Sequence, residues 1–244
     1  MSYTPDELMT VAAARLLNNE HVCFVGIGLP SAACNLARLT HAPRLTLIYE
    51  SGTIGTQPTV LPLSIGDGEL CTRALTTVSV PEIFRYWLQG GHVSIGFLSG
   101  AQVDRFANLN STVIGSYAHP KVRLPGAGGA PEIARSAGRV IVLLRHSQRS
   151  FVDGVDFVTS VGRELDGANG GPGSAVITDL GILRPSPDDG ELELVALHPG
   201  VELDDVRAAT GWDLRVREPL EVTEPVTERE LSELRALRVS ADED

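Results

Sequence analysis

The sequence predicts an α/β protein with an open, mostly parallel sheet flanked by helices, and three observations carry that expectation. Residues 22–25, 31–40 and 45–49 read in turn as strand, helix and strand, a βαβ unit that favours parallel pairing. Further short apolar runs recur down the chain, and several stop at glycine or a polar residue, as strands do where they leave a sheet. Hydrophobic residues make up 43% and charged residues 21% of the 244 positions, a globular composition long enough to bury a sizeable core.

Taken in order, residues 5–18 read as an amphipathic helix. Thr4 suits the N-cap, Pro5 the first helical position, and Glu7 falls three residues after the cap. Leu8, Val11, Ala12 and Leu16 mark its apolar face. The strand at 22–25 ends at Gly26-Ile27-Gly28-Leu29-Pro30, and the next ends at Tyr49. Residues 53–79 scatter Gly, Pro and Thr among short apolar runs and read as active-site loops. A helix over 80–89 opens near Pro81 and stops at Gly90-Gly91, before a strand at 93–98. Residues 104–130, rich in Gly, Asn, Ser and Pro, read as a second functional loop. Strands are expected at 139–144, 157–159, 175–178 and 192–197, and helices at 202–210 and 227–238. No repeat or composition shift marks a boundary, so a single domain over 1–244 is expected, with a C-terminal extension from about residue 200.

Bulk properties narrow the function. The formal net charge is −11 with a pI near 5.0, and so acidic a surface repels phosphate backbones, which argues against nucleic-acid binding. Neither a signal-peptide pattern nor a bilayer-length apolar run is present. The three cysteines form no CxxC pair, and Cys23 lies in an apolar run, as a reduced core cysteine would. A reducing, cytoplasmic setting is expected. The six histidines lack ligand spacing, so no metal site is expected, and no GxSxG elbow occurs.

The candidate catalytic residue is Glu50, in Tyr49-Glu50-Ser51-Gly52. Ligands of open α/β sheets bind beyond the carboxyl ends of the strands, and a carboxylate delivered there on a glycine turn is well placed for chemistry. On the tripeptide alone, a solvated turn residue accounts for Glu50 as well. Gly26-x-Gly28, between a strand and a helix, fits a phosphate turn or a plain tight turn; Ser31 stands where the dinucleotide fingerprint has its third glycine. Gly126-Ala127-Gly128-Gly129-Ala130 precedes a helix-like run and fits a ligand loop whose N–H groups stabilise an oxyanion, or a flexible turn. Asp104 to Asn110 better suits turn building, since Asp and Asn commonly bond their own backbone.

Those motifs in this order, with Ala101-Gln102-Val103-Asp104, Asn108-Leu109-Asn110-Ser111, Asp156-Phe157-Val158-Thr159-Ser160 and Thr178-Asp179-Leu180-Gly181-Ile182-Leu183, resemble a family I CoA-transferase β subunit. The likeness runs from about Glu7 to about Glu218 and is strongest to the β subunit of the glutaconate CoA-transferase type. The resemblance implies the CoA-transferase and sugar-isomerase-like fold, and ping-pong transfer of CoA between succinyl-CoA or acetyl-CoA and a short dicarboxylic acid such as 3-oxoadipate or glutaconate. Glu50 takes the position of the nucleophile that forms a glutamyl-CoA thioester. Gly26, Gly28, Gly126, Gly128, Gly129 and Ala130 become candidate CoA-binding positions. Coenzyme A enters as co-substrate and covalent intermediate, with no tightly bound cofactor, and an α subunit is the expected partner.

Two departures bear on substrate. Members acting on 3-oxoacids carry Glu-Asn-Gly and Gly-Met-Gly-Gly-Ala, where this chain has Glu-Ser-Gly and Gly-Ala-Gly-Gly-Ala. Ring-cleaving hydrolases on the same scaffold lack the glutamate that is present here. Hydrolysis of an acyl-CoA or a ring, and a non-enzymatic ligand-sensing module, are the competing readings. Arg73, Arg105, Lys121 and Arg123 lie in or near the suspected loops, where each fits a surface salt bridge or the distal carboxylate of a substrate.

Overall fold

The computed structural model describes residues 2–162 and 173–242. They group into two compact units, Met1–Phe97 with Val226–Asp244, and Leu98–Pro225.

The first unit opens with helix α1 (Pro5–Ala14), and its start is the predicted one. The Thr4 hydroxyl accepts from the Glu7 backbone N–H at 3.2 Å, and the Glu7 carboxylate accepts from the Thr4 N–H at 2.7 Å. The helix ends four residues early, because Leu16 and Leu17 donate to Ala13 and Ala14 in tighter three-residue turns. It is also not amphipathic in place, since every residue from Glu7 to Ala14 is buried.

Strand β1 (Val22–Val25), helix α2 (Leu29–Thr40) and strand β2 (Thr46–Tyr49) form the expected βαβ unit, with β1 and β2 paired in parallel from Val22↔Thr46 to Val25↔Tyr49. The stretch read as loops contains strand β3 (Thr53–Ile54), helix α3 (Gly68–Thr72) and strand β4 (Thr76–Thr77). Helix α4 (Val80–Glu82) widens into a π-helical turn over Ile83–Leu88, where Gln89 donates to Phe84 five residues back. Strand β5 (Ile95–Leu98) pairs in parallel with the other side of β1. The strand order of this unit is β5-β1-β2-β3-β4, parallel as far as β2 and antiparallel beyond.

The second unit begins with two hairpins, β6 (Gln102–Val103) with β7 (Leu109–Asn110), and β8 (Val113–Gly115) with β9 (Pro120–Arg123). Helix α5 (Ala130–Ser136) then leads into β10 (Arg139–Leu143), followed by β11 (Ala175–Ile177), β12 (Gly181–Pro185), β13 (Leu192–Leu197), helix α6 (Leu203–Ala209) and β14 (Arg215–Val222). The strand order is β14-β13-β12-β11-β10, with parallel pairs at both ends and antiparallel pairs between.

Three sequence readings change here. Residues 157–159 are not a strand, because the pairing of this segment with β7 stops at one isolated bridge, Leu109↔Ser160, beside which the Thr159 N–H donates to the Leu109 carbonyl. Strands β12 and β14 carried too little signal. β14 is mostly exposed, holds Arg215, Arg217, Glu218 and Glu221, and contains Pro219, so it lacks the apolar run of a buried strand.

The chain then returns to the first unit as helix α7 (Glu228–Asp242), which packs on α1 and α2 through buried Leu231, Leu234 and Leu237. Two ion pairs fix it. Arg15 meets Glu230 at 2.7 Å, and Arg235 meets the buried Glu7 at 2.9 Å. The Arg235 bond is the main cause that holds the Glu7 carboxyl at about 2 instead of the ordinary 4.5, with the Thr4 bonds adding to it against burial. Burial raises Glu230, but bonds from Arg15 and Thr227 outweigh it and leave that carboxyl at about 2. Both folded values lie below 4.5, so this stabilisation is complete above about pH 4.5 and disappears as pH falls through about 2. Glu7→Gln with Glu230→Gln should lower stability to urea at pH 7 by about 1–3 kcal/mol, and the gap to the parent should close as the pH drops from 5 toward 2.

Candidate functional site

Glu50 stands at the tip of the β2–β3 hairpin. Ile48 pairs with Ile54, and the Gly52 N–H donates to the Tyr49 carbonyl at 3.0 Å, closing a four-residue turn with Glu50 and Ser51 in its centre. Glu50 is half-buried there. The register Val25↔Tyr49 brings Gly26 level with Glu50 at the carboxyl ends of adjacent parallel strands. Gly26 and Glu50 thus each follow the last paired residue of adjacent strands, and Gly28 lies two residues on, at the start of α2. α2 starts directly after Gly28 with no side-chain cap, and of its first three residues only Leu29 and Ser31 carry a backbone N–H, since Pro30 has none.

The hairpin is anchored from beneath. Tyr49 is fully buried, and its hydroxyl shares a 2.7 Å hydrogen bond with Ser31 of α2, itself fully buried. Burial pushes the Tyr49 phenol well above its usual range, so it remains neutral. The serine that spoiled the glycine fingerprint is thus the residue that holds the strand carrying Glu50. Two hydroxyls near Glu50 in sequence, Ser51 Oγ and Thr53 Oγ1, are buried without a hydrogen-bond partner among the described residues.

Gly52 has no replacement. Its φ is +107°, and a Cβ would stand 2.0 Å from the Val78 carbonyl oxygen, because Val78 donates to the Gly52 carbonyl at 2.9 Å. The backbone just after β4 therefore approaches the turn too closely for any side chain. Gly52→Ala should destabilise the fold by at least about 2 kcal/mol and distort the turn, read as a lowered thermal midpoint.

The second glycine cluster belongs to the second unit. Gly126 has φ +103° with open space where a Cβ would be, so backbone conformation, not crowding, selects glycine. Gly129 caps α5, which begins at Ala130, and supplies no side-chain bond. The Gly126 N–H donates to the Ser111 carbonyl while the Ser111 hydroxyl donates to the Gly126 carbonyl, which ties the glycine loop to β7 and β8.

The polar motifs of the sequence hold that loop in place. Asp104 accepts from the Phe106 and Asn108 N–H groups and from the Asn108 amide, the turn-building role expected of it. Asn110 donates to Gln102 Oε1 and to the Val113 carbonyl, and accepts from the Thr112 and Val113 N–H groups. Thr159 receives the Ser111 N–H and bonds the Thr112 hydroxyl. Of the four candidate cations, Arg73 is paired with Glu69 and Arg105 with Asp153. Sequence reasoning missed Ser31 and Tyr49; the only available signal was a serine facing the end of an apolar strand.

Known proteins resemble this chain along nearly its whole length. The Coenzyme A transferase family pattern matches residues 7–209. The chain is 58% identical to a subunit of the 3-oxoadipate CoA-transferase of Pseudomonas knackmussii, over 97% of this chain and 94% of that one. It is 35% identical to a subunit of the glutaconate CoA-transferase of Acidaminococcus fermentans, over 92% and 88% of the two. The crystal structure of glutaconate coenzyme A-transferase from the same organism superposes with a TM-score of 0.87 at 31% identity, covering 97% of this chain and 95% of that one. A family match over most of its length, joined by close relatives in sequence and in structure, makes this chain a member of the coenzyme A transferase family.

Proposed function

We propose that this chain is the β subunit of a heteromeric CoA-transferase that exchanges CoA between an acyl-CoA, succinyl-CoA or acetyl-CoA, and a short dicarboxylic acid of the 3-oxoadipate or glutaconate kind. One observation carries the reading: a glutamate held on a rigid hairpin turn at the carboxyl ends of parallel strands β1 and β2, level with the Gly26 turn. The 58% identity to a 3-oxoadipate CoA-transferase subunit supports a dicarboxylic acceptor. Its relatives are named as subunits, which supports an α partner of separate chain. No helix among the described residues is long and apolar enough to cross a membrane, and Cys23 and Cys34 are free and buried, which suits a reducing cytoplasm.

Chemistry follows from the residue type. The Glu50 carboxylate attacks the thioester carbonyl, the C–S bond breaks, and CoA thiolate leaves a mixed anhydride. The thiolate then attacks the Glu50 carbonyl carbon, expelling the donor acid as its carboxylate and leaving an enzyme-bound glutamyl-CoA thioester. An acceptor carboxylate runs both steps in reverse. Anhydride and thioester are both reactive acyl species, so neither step becomes a trap, and splitting the exchange lowers each barrier. Each tetrahedral stage carries an oxyanion that backbone N–H groups can stabilise. Both intermediates hydrolyse readily, so the site must exclude water.

Co-expression with the α subunit, followed by a panel of short dicarboxylates assayed with succinyl-CoA and acetyl-CoA, tests the reading. Glu50→Ala should lower kcat in the assembled enzyme on the order of a thousandfold or more. Glu50→Asp, which withdraws the carboxylate by one methylene, should lose roughly a hundredfold. Mass spectrometry of the parent with acyl-CoA alone should find CoA attached at Glu50. Undiminished transfer by Glu50→Ala would end the nucleophile assignment, and full activity from this chain alone would end the heteromer.

A further inference from the structure

The β8–β9 hairpin is a cationic, aromatic surface on a strongly acidic protein. Lys121, on β9, is the only lysine in the sequence, and Arg123 lies two residues on along the same strand. Unlike Arg73 and Arg105, neither is paired with a carboxylate among the described residues. Asp156, the acid bonded to this hairpin, is occupied by the Gly115 N–H at 2.9 Å and the Gln102 amide at 3.2 Å. In a chain of net charge −11, two exposed cations on one strand, without acidic partners among the described residues, form a place where an anion can approach.

The cations are also held in place. The Arg123 guanidinium lies 4.6 Å over the Tyr117 ring, and one of its N–H groups donates to the Tyr117 carbonyl at 2.8 Å. Tyr117 in turn stacks on Phe157 at 5.4 Å, although Tyr117 remains 58% exposed. This arrangement fixes a flat guanidinium whose remaining N–H groups have no partner among the described residues and suit a forked contact. The strand bearing it runs directly into the glycine loop, through Leu124 donating to Thr112 and Gly126 donating to Ser111.

We infer that Tyr117, Lys121 and Arg123 form the docking platform for the phosphate-bearing adenine end of the CoA substrate. The assignment rests on the CoA-transferase reading and adds the residues of this chain that select the nucleotide. Phosphates take paired Lys and Arg, and adenine takes a flat face of aromatic and guanidinium groups. Exposure favours this end of the molecule over the short acid, whose reacting centre must be closed off from water.

The test uses the complex with its α subunit, and adenosine 3′,5′-bisphosphate as the probe, with binding followed by calorimetry so that no turnover is required. Lys121→Met and Arg123→Met should each weaken bisphosphate binding and raise the KM for acyl-CoA roughly tenfold, with the KM for the acid unmoved. Arg123→Lys, which keeps the charge and loses the fork, should fall between parent and Arg123→Met. Unchanged bisphosphate binding in the variants overturns the assignment. A defect confined to the KM for the acid overturns it in favour of a distal-carboxylate site, and failure to assemble overturns it in favour of a subunit contact. A parent complex that binds the bisphosphate but transfers no CoA would leave this platform standing and remove the transferase reading instead.

Discussion

Parallel pairing of β1 with β2 is the constraint on which the first unit's functional geometry depends. Four consecutive residue pairs, from Val22↔Thr46 to Val25↔Tyr49, bring both strands to the same edge in register. The side-chain period of a strand is two, so a slip of one residue would turn Tyr49 out of the core and Glu50 toward it. The fully buried Tyr49–Ser31 hydrogen bond guards against that slip, because it is satisfied only when β2 and α2 hold this relation. Gly52 adds a second lock at the turn, where Val78 leaves no room for a side chain.

The second unit solves a different problem, which is to keep long loops ordered without regular secondary structure. Its means are side chains that imitate backbone. Asn110 satisfies both its amide donors and its carbonyl within the unit, and Asp104 closes the turn after β6. Gln102 links Asn110 to Asp156, since its carbonyl accepts from both Asn110 and the Asp156 N–H. A buried polar network of this kind is favourable only when complete, so each member depends on the others. The motif residues that look chemical in the sequence are therefore mostly the scaffold of the glycine loop and its neighbouring hairpin.

What the sequence determined by itself is local. The capping box at Thr4 and Glu7, the βαβ alternation, the glycines at positive φ and the carboxylate ending an apolar strand are all written in neighbouring residues, whose steric and hydrogen-bonding preferences act over a few positions. Tertiary structure decided the rest. Helix α1 is buried from Glu7 to Ala14 because α2 packs on it and α7, more than two hundred residues later, adds Arg235 bonded to Glu7. Strand β14 exists because β13 offers it a ladder, since its own charged sequence has little strand preference. Ser31 acquires its role only from the position of Tyr49, and Arg123 its order only from Tyr117 and Phe157. Glu50 shows the division most plainly. Its residue type and the glycine two positions later were legible in the chain, but its place level with Gly26 required a strand register that no local pattern encodes.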